Sequence, residues 1–152
     1  MVGGAPKLKI DASGLQVAVL VTSWHTNITD GLLAGAERAL KAAGNSEYEI
    51  WRVPGAFELP LAAQRAVAAG ADVVIALGVV IRGDTPHFDY VCNAATDGLT
   101  KVQLDTNPPI GFGLLTVDTE QQALDRAGLP GSREDKGAEA VEAAVLMARL
   151  NA

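Results

Sequence analysis

Cysteine is almost absent from this chain of 152 residues: Cys92 stands alone, and there are only two histidines. No disulfide can form within the chain, and no Cys/His cluster offers metal-ligand spacing, so a reducing compartment and a metal-free chemistry are expected. A basic block is missing too. With a net charge of −6 and its cations scattered, the chain would repel a phosphate backbone, which argues against nucleic acid as a partner. Long apolar runs are lacking: the longest apolar-rich stretch, residues 71–81, is too short to cross a bilayer, and residues 1–10 carry two lysines but no apolar core. A soluble, untargeted, cytoplasmic protein without a membrane partner is the expectation. No linker or composition shift divides the chain, so one domain over residues 1–152 is expected, with 1–13 as an extended N-terminal arm.

What is present is apolar and regular. Hydrophobic residues make up 49% and charged residues 20%, enough to build one core and too apolar for disorder. Residues 15–21 (LQVAVLV) read as a buried strand, after which Ile28, Leu32, Ala36, Ala39 and Leu40 recur at helical spacing until Gly44, with Asn27 placed as the cap. The unit repeats. Residues 49–53 suit a strand, Pro54-Gly55 breaks it, and 59–69 suit a helix ending at Gly70. Residues 72–82 form the most apolar strand, followed by a helix whose stripe is Phe88, Val91, Cys92, Ala95, Leu99 and Val102. Pro108-Pro109 ends that connection, 110–117 make a fourth strand, Thr119 caps a short helix to Arg126, and 135–150 form the last helix. Four apolar strands alternating with helices predict a three-layer α/β/α fold on a four-stranded parallel sheet.

Ligands of such sheets bind beyond the carboxyl ends of the strands, which points to the loops 23–27, 54–58 and 82–87. Neither G-x-G-x-x-G nor a P-loop occurs, which disfavours dinucleotides and ATP. Instead Arg82-Gly83-Asp84-Thr85-Pro86-His87 combines a flexible glycine, a hydroxyl and a helix start, which suits either an anion held by backbone amides or an ordinary N-cap turn. His87 sits in the first turn of that helix, where the dipole disfavours the imidazolium and leaves a neutral ring for proton transfer; the alternative is a surface or capping histidine. His25 reads as solvent-exposed. Trp24 could stack on a flat heterocycle or pack beneath a loop, and Glu58 could accept hydrogen bonds from hydroxyls or simply favour a helix start. Arg126 and Lys136 flank the turn 128–131. Because a helix following a parallel strand returns toward the amino ends of the sheet, Arg126, like Phe112 at the start of its strand, should reach such a site only from a neighbouring subunit.

The motifs Ser23-Trp24-His25, Val53-Pro54-Gly55-Ala56-Phe57-Glu58, Gly78-Val79-Val80-Ile81-Arg82-Gly83-Asp84-Thr85-Pro86-His87-Phe88-Asp89-Tyr90-Val91, Gln122 through Gly128 and Asp135-Lys136-Gly137 occur in order. Across nearly its whole length the chain resembles the lumazine synthases of riboflavin biosynthesis. That resemblance implies a flavodoxin-like fold and a cofactor-free transferase. It condenses 5-amino-6-(D-ribitylamino)uracil with 3,4-dihydroxy-2-butanone 4-phosphate to 6,7-dimethyl-8-ribityllumazine, phosphate and water. It implies that Trp24 stacks on the pyrimidine, that Ala56, Phe57 and Glu58 meet the ribityl chain, and that Val79, Val80, Ile81 and Phe112 contact the heterocycle. Gly83, Asp84, Thr85, Arg126 and Lys136 would hold the butanone phosphate, His87 would move protons, and sites would form between adjacent subunits. The turn 127–135 differs from the shorter form of shell-building members and so favours a homopentamer. An archaeal-type riboflavin synthase and a non-catalytic lumazine-binding scaffold or cage protein are the competing readings.

Overall fold

The computed structural model describes residues 2–151. Residue 1, where the arm was expected to begin, and residue 152 lie outside them. The elements follow as β1 (Val17–Thr22), α1 (Thr26–Ala42), β2 (Glu49–Val53), a single 3-10 turn (Ala56–Glu58), α2 (Leu59–Ala68), β3 (Val73–Ile81), α3 (His87–Thr106), β4 (Ile110–Val117), α4 (Glu120–Leu124) and α5 (Lys136–Arg149). All ladders are parallel and the strand order is β2-β1-β3-β4, with Leu20 opposite Trp51 and Ala76, and Ala76 opposite Phe112. The three-layer α/β arrangement expected from the alternation, flavodoxin-like as the resemblance implies, is therefore the one adopted.

Strand alternation divides the core into two layers. Val19, Val21, Ile75 and Leu77 pack under α1 and α5 with Ile28, Leu32, Leu40, Val141 and Val145; Leu20, Val74 and Ala76 pack under α2 and α3 with Leu59, Ala63, Ala95 and Leu99. Central β1 is buried at every position, whereas edge strand β2 is largely exposed, because only one of its sides has a neighbour. Helices α1 and α5 approach closely through Gly137, where a Cβ would collide with the Leu32 carbonyl.

Boundaries move where backbone groups find other partners. Leu15 and Gln16, expected to open β1, lie outside it: Gln16 gives its carbonyl to the amides of Asp72 (2.7 Å) and Val73 (3.2 Å), and its own amide donates to the Asp72 carboxylate at 2.8 Å. Asn27 does not cap α1. His25 does, in the left-handed region at φ 53°, with its carbonyl accepting from Ile28 N (2.9 Å) and Thr29 N (3.0 Å). The chain must reverse within three residues of β1 to bury Ile28, so the helix begins ahead of Asn27, which is left exposed in the first turn. Thr119 caps α4 as expected, accepting from Gln122 N at 3.2 Å, and Asp135 caps α5 through Ala138 N at 3.0 Å.

Residues 2–10 carry no helix or strand and are mostly exposed, and the chain is tied down from residue 11. Ala12 N donates to Ala43 O at 2.8 Å, and the Arg149 guanidinium donates to the carbonyls of Asp11 (3.0 Å) and Ser13 (2.7 Å).

Candidate active site

In this strand order the chain turns to opposite sides after β1 and β3, which opens a crevice at their carboxyl ends. A cavity of about 330 Å³ lies there. Two of its walls come from loops that the strand-end rule singles out, Trp24 and His25 after β1 and Gly55 to Glu58 after β2. The third is the end of β3 itself, Val79, Val80 and Ile81, closed by His87 and Val91 of α3, while Gly83, Asp84 and Thr85 of the expected third loop do not line it. The size suits a small heterocycle carrying a polar chain.

Each wall has a local cause. Ser23 ties the first loop to the second, its amide donating to Pro54 O at 3.2 Å and its hydroxyl to Val53 O at 2.9 Å. Trp24 then lies over Gly55, where a Cβ would stand 3.1 Å from the indole nitrogen. Trp24 is 66% exposed, so it is not a core residue, and it lines the cavity. Phe57 is equally exposed. The 3-10 turn, which the sequence pattern did not show, rotates Ala56 inward and leaves Phe57 and Glu58 at the rim. His25, expected to face solvent, is exposed and also lines the cavity, its ring centroid 6.4 Å from that of Trp24. Gly55, His25 and Val91 are the lining residues that sequence reasoning passed over. Adjacency to Trp24 and Phe57 and the α3 stripe were the available signals.

His87 begins a helix of 20 residues with its side chain on the cavity. Its amide approaches the Thr85 hydroxyl at 3.4 Å, a long contact, and the helix has no side-chain cap. Ahead of it, the amides of Gly83, Asp84 and Thr85 have no acceptor among the described residues. Free backbone donors ahead of a helix start are groups with which an anion can pair. Cys92, one turn further on, is half-buried, and that burial raises its thiol pKa.

Phe112, Arg126 and Lys136 do not line this cavity. Phe112 is 47% exposed beside α3, bordering a separate groove with Thr96 and Gln103. Arg126 donates to Gln122 O at 2.7 Å and lies 3.6 Å from Glu134. Lys136 contacts Glu139 at 2.7 Å and Glu134 at 3.4 Å, and the Glu139 bond leads the causes that raise its pKa. The route that separates Arg126 from the cavity differs from the expected one. Helix α4 has five residues, about 7.5 Å of rise, so it never returns to the amino ends. Ala127 instead stands against Gly31 in the second turn of α1, where a Cβ would be 2.6 Å from its carbonyl oxygen. Arg126 is held outside the cavity by its contacts to Gln122 and Glu134, beside Ala123 and Ala127, which pack in the α1/α5 layer.

Fold and cavity together define a flavodoxin-like α/β protein with an open, mostly apolar ligand site at the carboxyl edge of its sheet. The family model for 6,7-dimethyl-8-ribityllumazine synthase matches residues 14–152, and the chain belongs to that family. Among its relatives, the 6,7-dimethyl-8-ribityllumazine synthase of Kineococcus radiotolerans is 66% identical over 93% of this chain and 88% of its own length. Those of Leifsonia xyli subsp. xyli and Clavibacter michiganensis subsp. michiganensis are each 61% identical, over 95% and 97% of this chain and 92% and 93% of their own lengths.

Proposed function

We propose that this chain, acting as a single domain, is a transferase of riboflavin biosynthesis. It condenses 5-amino-6-(D-ribitylamino)uracil with 3,4-dihydroxy-2-butanone 4-phosphate to give 6,7-dimethyl-8-ribityllumazine, phosphate and water. The observation that carries this reading is one cavity holding an exposed indole face, a polar rim at Glu58 and His87, next to a loop with three unpaired amides. Trp24 stacks the pyrimidine, Ala56, Phe57 and Glu58 receive the ribityl chain, and the strand end Val79 to Ile81 lies along the heterocycle. The amides of Gly83, Asp84 and Thr85 take the phosphate. Arg126, Lys136 and Phe112 complete the site from a neighbouring subunit of a homopentamer, since none of them reaches the cavity of its own chain. The cytoplasm, which supplies both substrates, is the proposed location; among the described residues no helix is long and apolar enough to cross a membrane.

The chemistry is attack of an amine on a ketone, loss of water to an imine, loss of phosphate, closure of the ring on the remaining carbonyl, and a second dehydration. The steps move protons to and from nitrogen and oxygen and, in the elimination of phosphate, from carbon, and His87 is the one titratable side chain on the α3 wall of the cavity. Holding the two substrates together supplies much of the remaining acceleration. Lumazine formation followed by its fluorescence tests the reading. The wild type turns over the substrate pair, and His87→Ala lowers kcat by about 10²-fold. A scaffold makes no lumazine and a dismutase requires lumazine as substrate, so either outcome would sink the proposal.

A further inference from the structure

The loop that carries the free amides has almost no structure of its own. Between Arg82 and His87 the one internal contact is the long Thr85 hydroxyl approach to His87 N, and a Cβ at Gly83 would meet nothing within 4 Å. Its shape must be imposed from its ends. Both ends are gripped by one side chain. Arg82 N donates to Val117 O at 2.9 Å, its Nε donates to the Asp118 carboxylate at 2.8 Å, its Nη1 lies 3.5 Å from Asp89, and its guanidinium carbon sits 4.4 Å over the Phe88 ring. Phe88 and Asp89 immediately follow His87, and Asp118 is the residue after β4. Asp118 is itself braced, its amide donating to the Gln122 side chain at 2.8 Å.

These contacts are exposed: Arg82 is 47% accessible, Asp89 58% and Asp118 64%. Exposed ion pairs add little to stability, so folding gives no reason for this arrangement. Two carboxylates also neutralise the guanidinium, which makes it a poor direct ligand for an anion. A planar fork that pairs on one edge and stacks on a ring is a way to hold direction.

We infer that Arg82 is a positioning residue: by fastening the first turn of α3 to the end of β4, it sets the Gly83–Asp84–Thr85 amides and His87 in register. Resting on the function proposed above, it deepens the account of the same site. The prediction is specific to one substrate. Arg82→Gln raises KM for the phosphorylated ketone about tenfold and lowers kcat, while KM for the ribitylaminouracil, read by Trp24 and Glu58, stays within about twofold.

The test is a double-mutant cycle between Arg82→Gln and Asp118→Asn, with Arg82→Lys as the conservative variant, in the full-length protein. Steady-state kinetics are measured for both substrates, together with thermal unfolding and hydrogen exchange over residues 82–90. A clamp predicts that both single variants raise the ketone-phosphate KM, that the pair is no worse than Arg82→Gln alone, and that Arg82→Lys falls between. It further predicts faster exchange in that segment at nearly unchanged melting temperature. The inference is overturned if Asp118→Asn keeps wild-type KM, if the two effects multiply independently, or if both KM values rise together with a loss of folding. Failure of the function reading looks different. A wild type that makes no lumazine removes the reaction, while faster exchange at 82–90 in Arg82→Gln would still report the clamp.

Discussion

The proposed division of the site between chains makes a quantitative prediction. Arg126, Lys136 and Phe112 are absent from the cavity that contains Trp24, Glu58 and His87, so on the proposed function one chain offers the two halves of a site on different surfaces. In a closed ring, each interface joins the loop half of one subunit to the Arg126 half of the next. Consider His87→Ala and Arg126→Ala, each lowering turnover by about 10²-fold or more when it fills every position. Co-expressed in equal amounts and assembled at random, an interface is intact when its loop half comes from the Arg126→Ala chain and its arginine half from the His87→Ala chain. Each choice has probability of about one half, so about one quarter of the sites are wild type. The mixture should therefore recover roughly a quarter of wild-type turnover, some 25-fold above either parent. Differently tagged chains purified through both tags, then assayed for lumazine, give the number. Activity no higher than the mean of the parents would show that each chain carries a complete site, and a monomer in light scattering would end the shared-site reading.

Other perturbations follow from the fold. Gly137→Ala places a methyl on the Leu32 carbonyl, a backbone atom that cannot rotate away. The loss should be about 2–4 kcal/mol despite the better helix propensity of alanine, read as a lower urea midpoint at unchanged m. Thr22 Oγ1 is a buried side-chain oxygen with no partner, lodged where Gly78 has no Cβ. Thr22→Val removes an unsatisfied hydroxyl at constant shape, so equal stability or a gain of about 1 kcal/mol is expected; a loss beyond 1 kcal/mol would mean that the hydroxyl is bonded in solution. Burial, and then the hydrogen bond to Glu37, push the Tyr48 phenol up to about 12. Below its ordinary value near 10 the phenol is protonated in both folded and unfolded chains, so its contribution is complete. As pH rises toward 12 the unfolded chain ionises first and stability falls, by roughly 1–2 kcal/mol at this half-buried position. Tyr48→Phe should remove that part of the alkaline decline in chemical denaturation curves at pH 9 to 11.5.

The strands and helices were legible because their signals are local. Residues 49–53 and 110–117 are strands with the expected bounds, since Pro54-Gly55 and Pro108-Pro109 interrupt backbone pairing beside them whatever the surroundings. The strand-end rule likewise located two loops of the cavity, 23–27 and 54–58, and of the third, 82–87, only His87 lines it. The α1 cap was not legible, because Asn27 has the better capping chemistry and burial of Ile28 decided the start at His25 instead. The 3-10 turn that sets Phe57 and Glu58 at the rim leaves no period in three residues.

By itself the sequence determined the alternation of strand and helix, the loops that carry the chemistry and the identity of the residues in them, all of which depend on neighbours within a few positions. Only the tertiary structure decided that Trp24 rests on Gly55, that Arg82 bridges Asp118 and Asp89, and that Arg126 belongs to the opposite layer from His87. Those relations join positions far apart in the chain, 36 residues from Arg82 to Asp118, and they follow from strand order and from which face of the sheet each helix covers. No spacing along the chain encodes either.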